Sequence, residues 1–543
     1  MSRKRRSCLL ILVALVVLVS CGLQAAEPSM FASDVSARVA TRWFELQLKL
    51  VMETPGFAPP VASRALGYSG VALYEAVLGG MPDHNSLVGQ LNDLTYLPQP
   101  EVGQRYDWAA VANSALATIT RSLYLTVSPE NWAAIDALEQ EFAEQCRIEA
   151  GTDVCSRSVA YGQAVARAVF EWSRSDGACS GSSGCSLKPY VSPSGPGLWV
   201  PTPPSYLAPL LPYWGLNRPL VLSSGGDYAP PPPIPYSESP SSRFYAQAME
   251  VYTTVKNLTP EQRAIALFWA DDALKTFTPP GHSISIATQA LKAENASLAL
   301  AAETYARVGI AVADSFIVCW YTKYTYDVLR PVSYIQSIID PTWNNGGVTD
   351  PVITPAFPEY TSGHSVQSMA AATVLTALFG DGYEFTDNTD LTWGRPARTF
   401  GSFFAAAEEA AISRLYAGVH YRAAIEAGTE QGKSIGARVN ALAWTKSPQP
   451  LEVASPAPSV AVECGTPDSS GNVSFSWSSD SDDSASLLYQ WKLDGSDSGW
   501  SSWVNATHTA YGGLSRGTYQ FCVRAMDAAG NVTSSICCSV TVR

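Results

Sequence analysis

Histidine is scarce in this chain of 543 residues: there are five, and none of the eleven cysteines stands in a C-x2-C pair of metal spacing. That argues against a structural zinc site. Charge is sparse as well, at 15% of residues, and no long basic run follows residue 6. With a formal net charge of −13, nucleic acid is a poor candidate for the main partner. An acidic surface still admits an anionic substrate, provided that local arginines and lysines hold it. The apolar run near the N-terminus is too short to be a comfortable membrane span. Against these shortages, 46% of the residues are hydrophobic. Such a chain is globular, and long enough for more than one domain.

The N-terminus, "MSRKRRSCLLILVALVVLVSCGLQAAEPS", carries a basic segment (Arg3 to Arg6), a short apolar run and then small residues, as an export signal does. Residues 1–26 are read as that signal. "LVSC" (Leu18 to Cys21) resembles the bacterial lipobox, so lipidation at Cys21 is expected, giving a periplasmic or cell-surface lipoprotein; cleavage near Ala25 or Ala26 would give a secreted one. The membrane is then a partner only through that anchor. Outside the cytoplasm the remaining cysteines are expected in disulfides, with Cys179–Cys185 and Cys146–Cys155 as plausible local pairs and Cys319 as the leftover thiol.

Residues 30–446 carry apolar residues at helical spacing, from "RVATRWFELQLKLVM" to "GTEQGKSIGARVNALAW". A proline-rich stretch from Asp176 to about Ser242 interrupts them. Loops of that length are usually functional or draped over a core. Residues 447–459, "SPQPLEVASPAPS", read as a stiff linker. Residues 460–543 switch to short β-type runs such as "VSFSWSS" and "TYQFCVRAMDAAGN", a small C-terminal β-sandwich. This segment resembles the fibronectin type III-like modules of secreted bacterial enzymes. Tryptophans in "YQWKLDGSDSGWSSW" either fill its core or offer a glycan or protein contact.

Three stretches concentrate groups suited to an oxyanion. "KYTYDVLRP" places Lys323 and Arg330 seven residues apart, on one face if the helix continues. "FPEYTSGHSVQ" sets Ser362, Gly363 and His364 where a loop becomes a helix, so that amides and a hydroxyl point into one volume. "SRLYAGVHYR" adds Arg414 and His420. Cations and amides can hold the outer oxygens of a tetrahedral oxyanion, one histidine can bond the central atom, and the other can move a proton.

The ordered set Lys-x6-Arg-Pro, Ser-Gly-His and Ser-Arg-x5-His resembles the signature shared by vanadium-dependent haloperoxidases and type 2 phosphatidic acid phosphatases. "FWADDALKTFTPPGH", "SVAYGQAVARAVFEWSRSDG" and "PPVASRALGYSGVALYEAV" are similar to the helical body of bacterial haloperoxidase-like proteins. The resemblance implies a mainly α fold of two four-helix bundles. It implies vanadate as cofactor, or phosphate if the chain is a phosphatase. The oxyanion would be held by Lys323, Arg330, Ser362, Gly363 and Arg414, with His420 as vanadium ligand and His364 as acid–base group. Asp272, with Asp271 as the near alternative, would steady the second arginine, and Trp320 and Phe357 would flank a halide site. The substrates would be hydrogen peroxide, a halide and a small organic acceptor.

Two departures from the pattern matter. Ala424 stands where many members carry an aspartate that orients the second histidine, and Thr361 replaces a proline before Ser-Gly-His. Three readings follow: a haloperoxidase producing hypohalous acid, an acid phosphatase with His420 as nucleophile, and an inactive surface protein that binds glycan or protein. His84, His282 and His508 match no motif position, although His282 follows the matching "TPPG".

Overall fold

The computed structural model of the chain describes residues 31–178, 190–343, 353–446, 460–479, 487–496, 499–526, 533 and 535–543. The N-terminal signal with Cys21, the Cys179–Cys185 pair and the linker 447–459 lie outside them. Among the described residues no helix is long and apolar enough to cross a membrane.

A first group of helices comprises α1 (Arg38–Glu53), α2 (Pro59–Val77), α3 (Trp108–Leu123), α4 (Pro129–Glu149) and α5 (Thr152–Ser173). After the proline-rich stretch come α6 (Arg243–Lys256), α7 (Pro260–Phe268), α8 (Thr278–Ala293), α9 (Leu298–Tyr326), α10 (Pro331–Tyr334), α11 (Gly363–Phe379), α12 (Phe403–Tyr416) and α13 (Arg422–Asn440). Two short strands, β1 (Phe385–Asp387) and β2 (Arg398–Phe400), pair antiparallel between α11 and α12.

Helix α9 is apolar on nearly every side, and a helix of that kind must be covered all round. It runs through the centre with α2 on one flank and α11 on another. Glycines set the closeness of the α2–α9 seam and of the seam between α11 and α13. A Cβ at Gly70 of α2 would lie 2.3 Å from the Tyr305 carbonyl oxygen of α9. On α13, Gly428, Gly432 and Gly436 recur every four residues and so line one face. A Cβ at Gly432 would lie 2.2 Å from the Val366 carbonyl oxygen, so this glycine row lets α13 seat the first turns of α11.

The helical patterning of residues 284–324 is broken at Asn295, where φ is +48°, into α8 and α9. The proline-rich stretch is draped over the helices as expected. Buried Asp314 of α9 accepts the amides of Leu220, Val221 and Leu222 at 2.6, 2.9 and 3.1 Å, pinning the strap to the core.

The C-terminal module has β3 (Val460–Cys464), β4 (Val473–Ser479), β5 (Leu488–Leu493), β6 (His508–Tyr511), β7 (Gly517–Met526) and β8 (Ile536–Val542). They form two three-stranded antiparallel sheets, β3-β4-β6 and β5-β7-β8. Phe475, Trp477 and Phe521 fill the space between them. Cys464–Cys538 joins the two sheets and Cys522–Cys537 joins register partners. Trp500 and Trp503 instead lie 4.5 and 5.4 Å from the Arg524 guanidinium. Cys146 and Cys155, expected as a pair, are free thiols that share a small buried cluster; Cys319 is free and buried, as expected.

Candidate active site

The chain between Lys323 and Arg330 does not continue as a helix. Helix α9 ends at Tyr326, Asp327 takes φ +49°, and Arg330 caps α10, so the two cations do not share a helical face as the spacing predicted. The turn brings them together another way. They sit 5.0 and 4.9 Å from the centre of the Phe357 ring, both fully buried. The Lys323 ammonium donates to the carbonyls of Pro358 and Glu359 at 3.0 Å each, and to that of Thr361. Arg330 donates from Nε to the Phe357 carbonyl at 2.9 Å and from Nη1 to the Val419 carbonyl at 2.8 Å.

Ser362 is the N-cap of α11, and its hydroxyl accepts the Ser365 amide. Gly363 and His364 follow in the first turn, where helix amides lack an intrahelical acceptor and the dipole favours negative charge. Arg414, in the last turn of α12, is held by Ser413 Oγ and by the carbonyls of Ala266 and Trp269. Gly363, His364, Arg414 and His420 all line one cavity of about 370 Å³, together with Trp320 and Phe357. The rings of Trp320 and Phe357 stand 4.8 Å apart in a tilted contact.

The second histidine has a partner that no motif announced. His420 Nδ1 lies 2.8 Å from Glu359 Oε1, and the same oxygen accepts the Tyr421 amide at 2.9 Å. His420 Nε2 receives Nη1 of Arg330 at 3.2 Å. A guanidinium can only donate, so Nε2 carries the lone pair and Nδ1 carries the proton. The ring is therefore neutral, with its electron pair turned toward Arg330. Burial and the charges of Arg330 and Lys323 hold its pKa well below the ordinary value, in keeping with that tautomer. Burial pushes Glu359 up to about 7. Ala424, at the expected aspartate position, is buried and apolar; Glu359 reaches the histidine from the other side.

A second buried chain stands behind His364. Its Nε2 is 3.7 Å from Asp271 Oδ2. Asp271 Oδ1 lies 3.0 Å from His282 Nδ1, and His282 Nε2 lies 2.7 Å from Asp387 Oδ2. Both nitrogens of His282 face carboxylates, so both carry protons and the ring is an imidazolium. Burial opposes that charge, but the two aspartates outweigh it and raise its pKa well above the ordinary value. Burial likewise pushes Asp271 up, and His282 and His364 outweigh it to hold the carboxyl below its usual range. His364 itself is held down to about 4 by burial and by Arg414.

Neither candidate aspartate hydrogen-bonds Arg414, although Asp271 and Asp272 both lie close enough to favour its charge. Asp272 is half-buried, lines the same cavity and pairs with Lys275 at 3.2 Å. The buried aspartate is Asp271, turned inward by a φ of +49°, and it serves the two histidines. His84 pairs with Glu303 near the start of α9, at the opposite end from Lys323, and His508 lies in β6.

The residues suit a tetrahedral oxyanion. Lys323 and Arg330 are buried beside one carboxylate, Glu359, and Arg414 lies near Asp271 and Asp272. Arg330 Nη2 and His364 Nε2 are buried with no hydrogen-bond partner among the described residues. Uncompensated buried cations are costly. Burial holds Lys323 down to about 7 and each arginine down to about 10, and an anion in their midst would relieve that cost.

Comparison with known proteins follows the same residues. A family model described as the VCPO second helical-bundle domain matches residues 303–446, which contain all seven cage positions. A solved structure described as the first bacterial vanadium-dependent iodoperoxidase is 36% identical, with a TM-score of 0.69. The match covers 76% of this chain and 97% of that one. Holo and apo structures of a bacterial vanadium-dependent chloroperoxidase share the fold at 14% and 15% identity, with TM-scores of 0.54 and 0.53. They cover 72% and 70% of this chain, and 94% and 93% of their own. No curated protein sequence matches the chain.

Proposed function

The chain belongs to the vanadium-dependent haloperoxidase family, and on that footing we propose that it oxidises a halide with hydrogen peroxide to hypohalous acid. The overall change is H2O2 + X⁻ + H⁺ → HOX + H2O. Iodide is the first candidate, because the 36% identical structure is described as an iodoperoxidase. The observation that carries the reading is the buried cationic cage, with the orphaned Arg330 Nη2 and with the unprotonated Nε2 of His420 turned toward Arg330.

Vanadate, when bound, supplies Lewis-acid polarisation of the peroxide bond without changing oxidation state. Lys323, Arg330 and Arg414 would hold its oxygens, Ser362 and Gly363 would add a hydroxyl and an amide, and His420 Nε2 would ligate it. His364 is neutral above about pH 4, so its ring would accept a proton from hydrogen peroxide and return one to the departing oxygen, which leaves as water. Asp271 fixes the ring for that exchange. Trp320 and Phe357 keep bulk water from the halide's approach.

One observation favours a second reading. Glu359 gives His420 the carboxylate support that Ala424 withholds, which a phosphatase with a histidine nucleophile requires. A single set of assays separates the two: peroxide-driven oxidation of iodide, bromide and chloride with orthovanadate present, and hydrolysis of p-nitrophenyl phosphate without it. Halide oxidation that needs vanadate and is lost in His420→Ala supports the first. Ester hydrolysis without oxidation of any halide supports the second and overturns the first. Activity in neither assay would leave the inactive binding protein.

We also propose that the protein is exported and anchored through Cys21. The two disulfides of the C-terminal module support an oxidising compartment. Palmitate labelling lost in Cys21→Ser would establish the anchor, and labelling retained in that variant would refute it.

A further inference from the structure

More buried acid stands behind His364 than its support requires. Asp271, Asp387 and Asp390 are each at most 4% exposed, and His282 among them is 1% exposed. Asp271 comes from the turn between α7 and α8, His282 from α8, Asp387 from the end of β1, and Asp390 from the short helical turn Thr389–Trp393. Asp271, His282 and Asp390 each have one polar atom engaged from outside the trio. Asp271 Oδ2 faces His364 Nε2 at 3.7 Å, His282 Nε2 meets Asp387 Oδ2 at 2.7 Å, and Asp390 Oδ2 takes Arg395 Nη1 at 2.7 Å. Inside the trio, one ligand atom from each residue lies within 4.8 Å of the other two. Asp271 Oδ1 and His282 Nδ1 are 3.0 Å apart, the separation of neighbouring donors that each stand about 2.1 Å from one ion. Asp390 Oδ1 is buried with no hydrogen-bond partner among the described residues. Such an oxygen is costly to bury, and burial together with the charge of Asp271 pushes Asp390 up to about 6.

We propose that Asp271 Oδ1, His282 Nδ1 and Asp390 Oδ1 bind a divalent transition-metal ion. The donors select its class. An imidazole nitrogen with two carboxylate oxygens suits a borderline ion such as zinc, whereas calcium and magnesium take oxygen ligands. This donor set owes nothing to thiolates, so the cysteine spacing gives no sign of it. The Nδ1 proton inferred above is the one that the ion displaces to solvent, while Nε2 keeps its proton against Asp387. A carboxylate behind a ligating histidine commonly fixes the orientation of such a ring, and Arg395 holds Asp390 in the same way. Asp387 is itself fixed, its Oδ1 accepting the Thr389 amide at 2.9 Å and Gln289 Nε2 at 3.3 Å. The ion would tie the α7–α8 turn, α8 and the segment after β1 into one wall behind His364. Its binding does not depend on which oxyanion the cage holds.

The test is isothermal titration of zinc chloride into full-length, chelator-treated protein free of vanadate, at neutral pH, with magnesium chloride as the comparison. One zinc ion per chain is expected, with no saturable binding of magnesium. Asp390→Asn is expected to weaken zinc binding at least tenfold, with near-ultraviolet circular dichroism to verify that its fold is kept. Zinc-edge X-ray absorption of the loaded parent protein is expected to show one imidazole among oxygen donors. Absence of saturable zinc binding, equal affinity in a folded Asp390→Asn, magnesium bound as tightly as zinc, or a spectrum with no imidazole or with more than one would overturn the proposal. If Asp390→Asn does not fold, the absorption spectrum of the parent decides alone.

Discussion

Glu359 and His420, 61 residues apart in the chain, meet at 2.8 Å between Oε1 and Nδ1, and this contact fixes which nitrogen of the histidine faces the cage. Partners of this kind behind a metal-binding histidine are usually worth 10- to 100-fold in affinity or activity. Glu359→Gln is therefore expected to weaken vanadate binding by about that factor. Vanadate titration of the variant, with near-ultraviolet circular dichroism to verify its fold, measures this. Unchanged affinity would mean that His420 is oriented by something else.

The α11–α13 seam should transmit to the cage without touching it. Gly432→Ala places a methyl carbon 2.2 Å from the Val366 carbonyl oxygen, so one helix must move. Overpacking of this kind costs about 2 kcal/mol. The expected result is a lower Tm together with weaker vanadate binding, because Ser362, Gly363 and His364 open α11. A lower Tm with full affinity would show that the first turn is held independently of the seam.

Histidine protonation gives a signed pH dependence. His364 is held down to about 4 in the folded chain, against 6.5 for the free group. Between those values the unfolded chain carries a proton that the folded chain refuses, so stability rises with pH across that window and is lost as pH falls. His420, also lowered, acts in the same direction. His282 is raised, is protonated in both states below 6.5, and removes stability only as pH rises beyond that. Buried Glu359, pushed up to about 7, acts in the opposite direction over the same range, so the test is a difference: in thermal melts of vanadate-free protein from pH 4.5 to 6.5 the slope of Tm with pH should be less positive in His364→Gln than in the parent. Equal slopes in both proteins would contradict the assignment.

Asp271 and Asp272 are neighbours with different environments, and substitution should separate them. Asp271→Asn removes a buried charge between two histidines and is expected to lower kcat at least tenfold. Asp272→Asn removes a surface pair with Lys275 and is expected to change kcat less than twofold. Steady-state halide oxidation checks both, and the reverse order would reinstate Asp272.

The cage was legible in the sequence because its members sit in short motifs at element ends, where type and spacing follow from the chemistry. The mainly α body with a β module was legible from periodicity alone. What spacing could not foretell depends on where the chain turns. The left-handed residue at Asp327 breaks the helix between Lys323 and Arg330, and a similar turn at Asp271 decides which of two adjacent aspartates is buried. Glu359 stands three residues before Ser362, but its target lies on another element and only tertiary packing joins them. His282 matched no motif, and the carboxylates on either side of it lie 11 and 105 residues away along the chain. Cysteine spacing misled for Cys146 and Cys155, since nearness along the chain does not supply disulfide geometry.

Equilibrium dialysis against orthovanadate, with inorganic phosphate as competitor, tests whether these scattered groups make one oxyanion cage. One vanadate per chain, displaced by phosphate and bound at least a hundredfold more weakly by Arg330→Ala, is the predicted result. Sub-stoichiometric or unsaturable uptake that Arg330→Ala leaves untouched would contradict it.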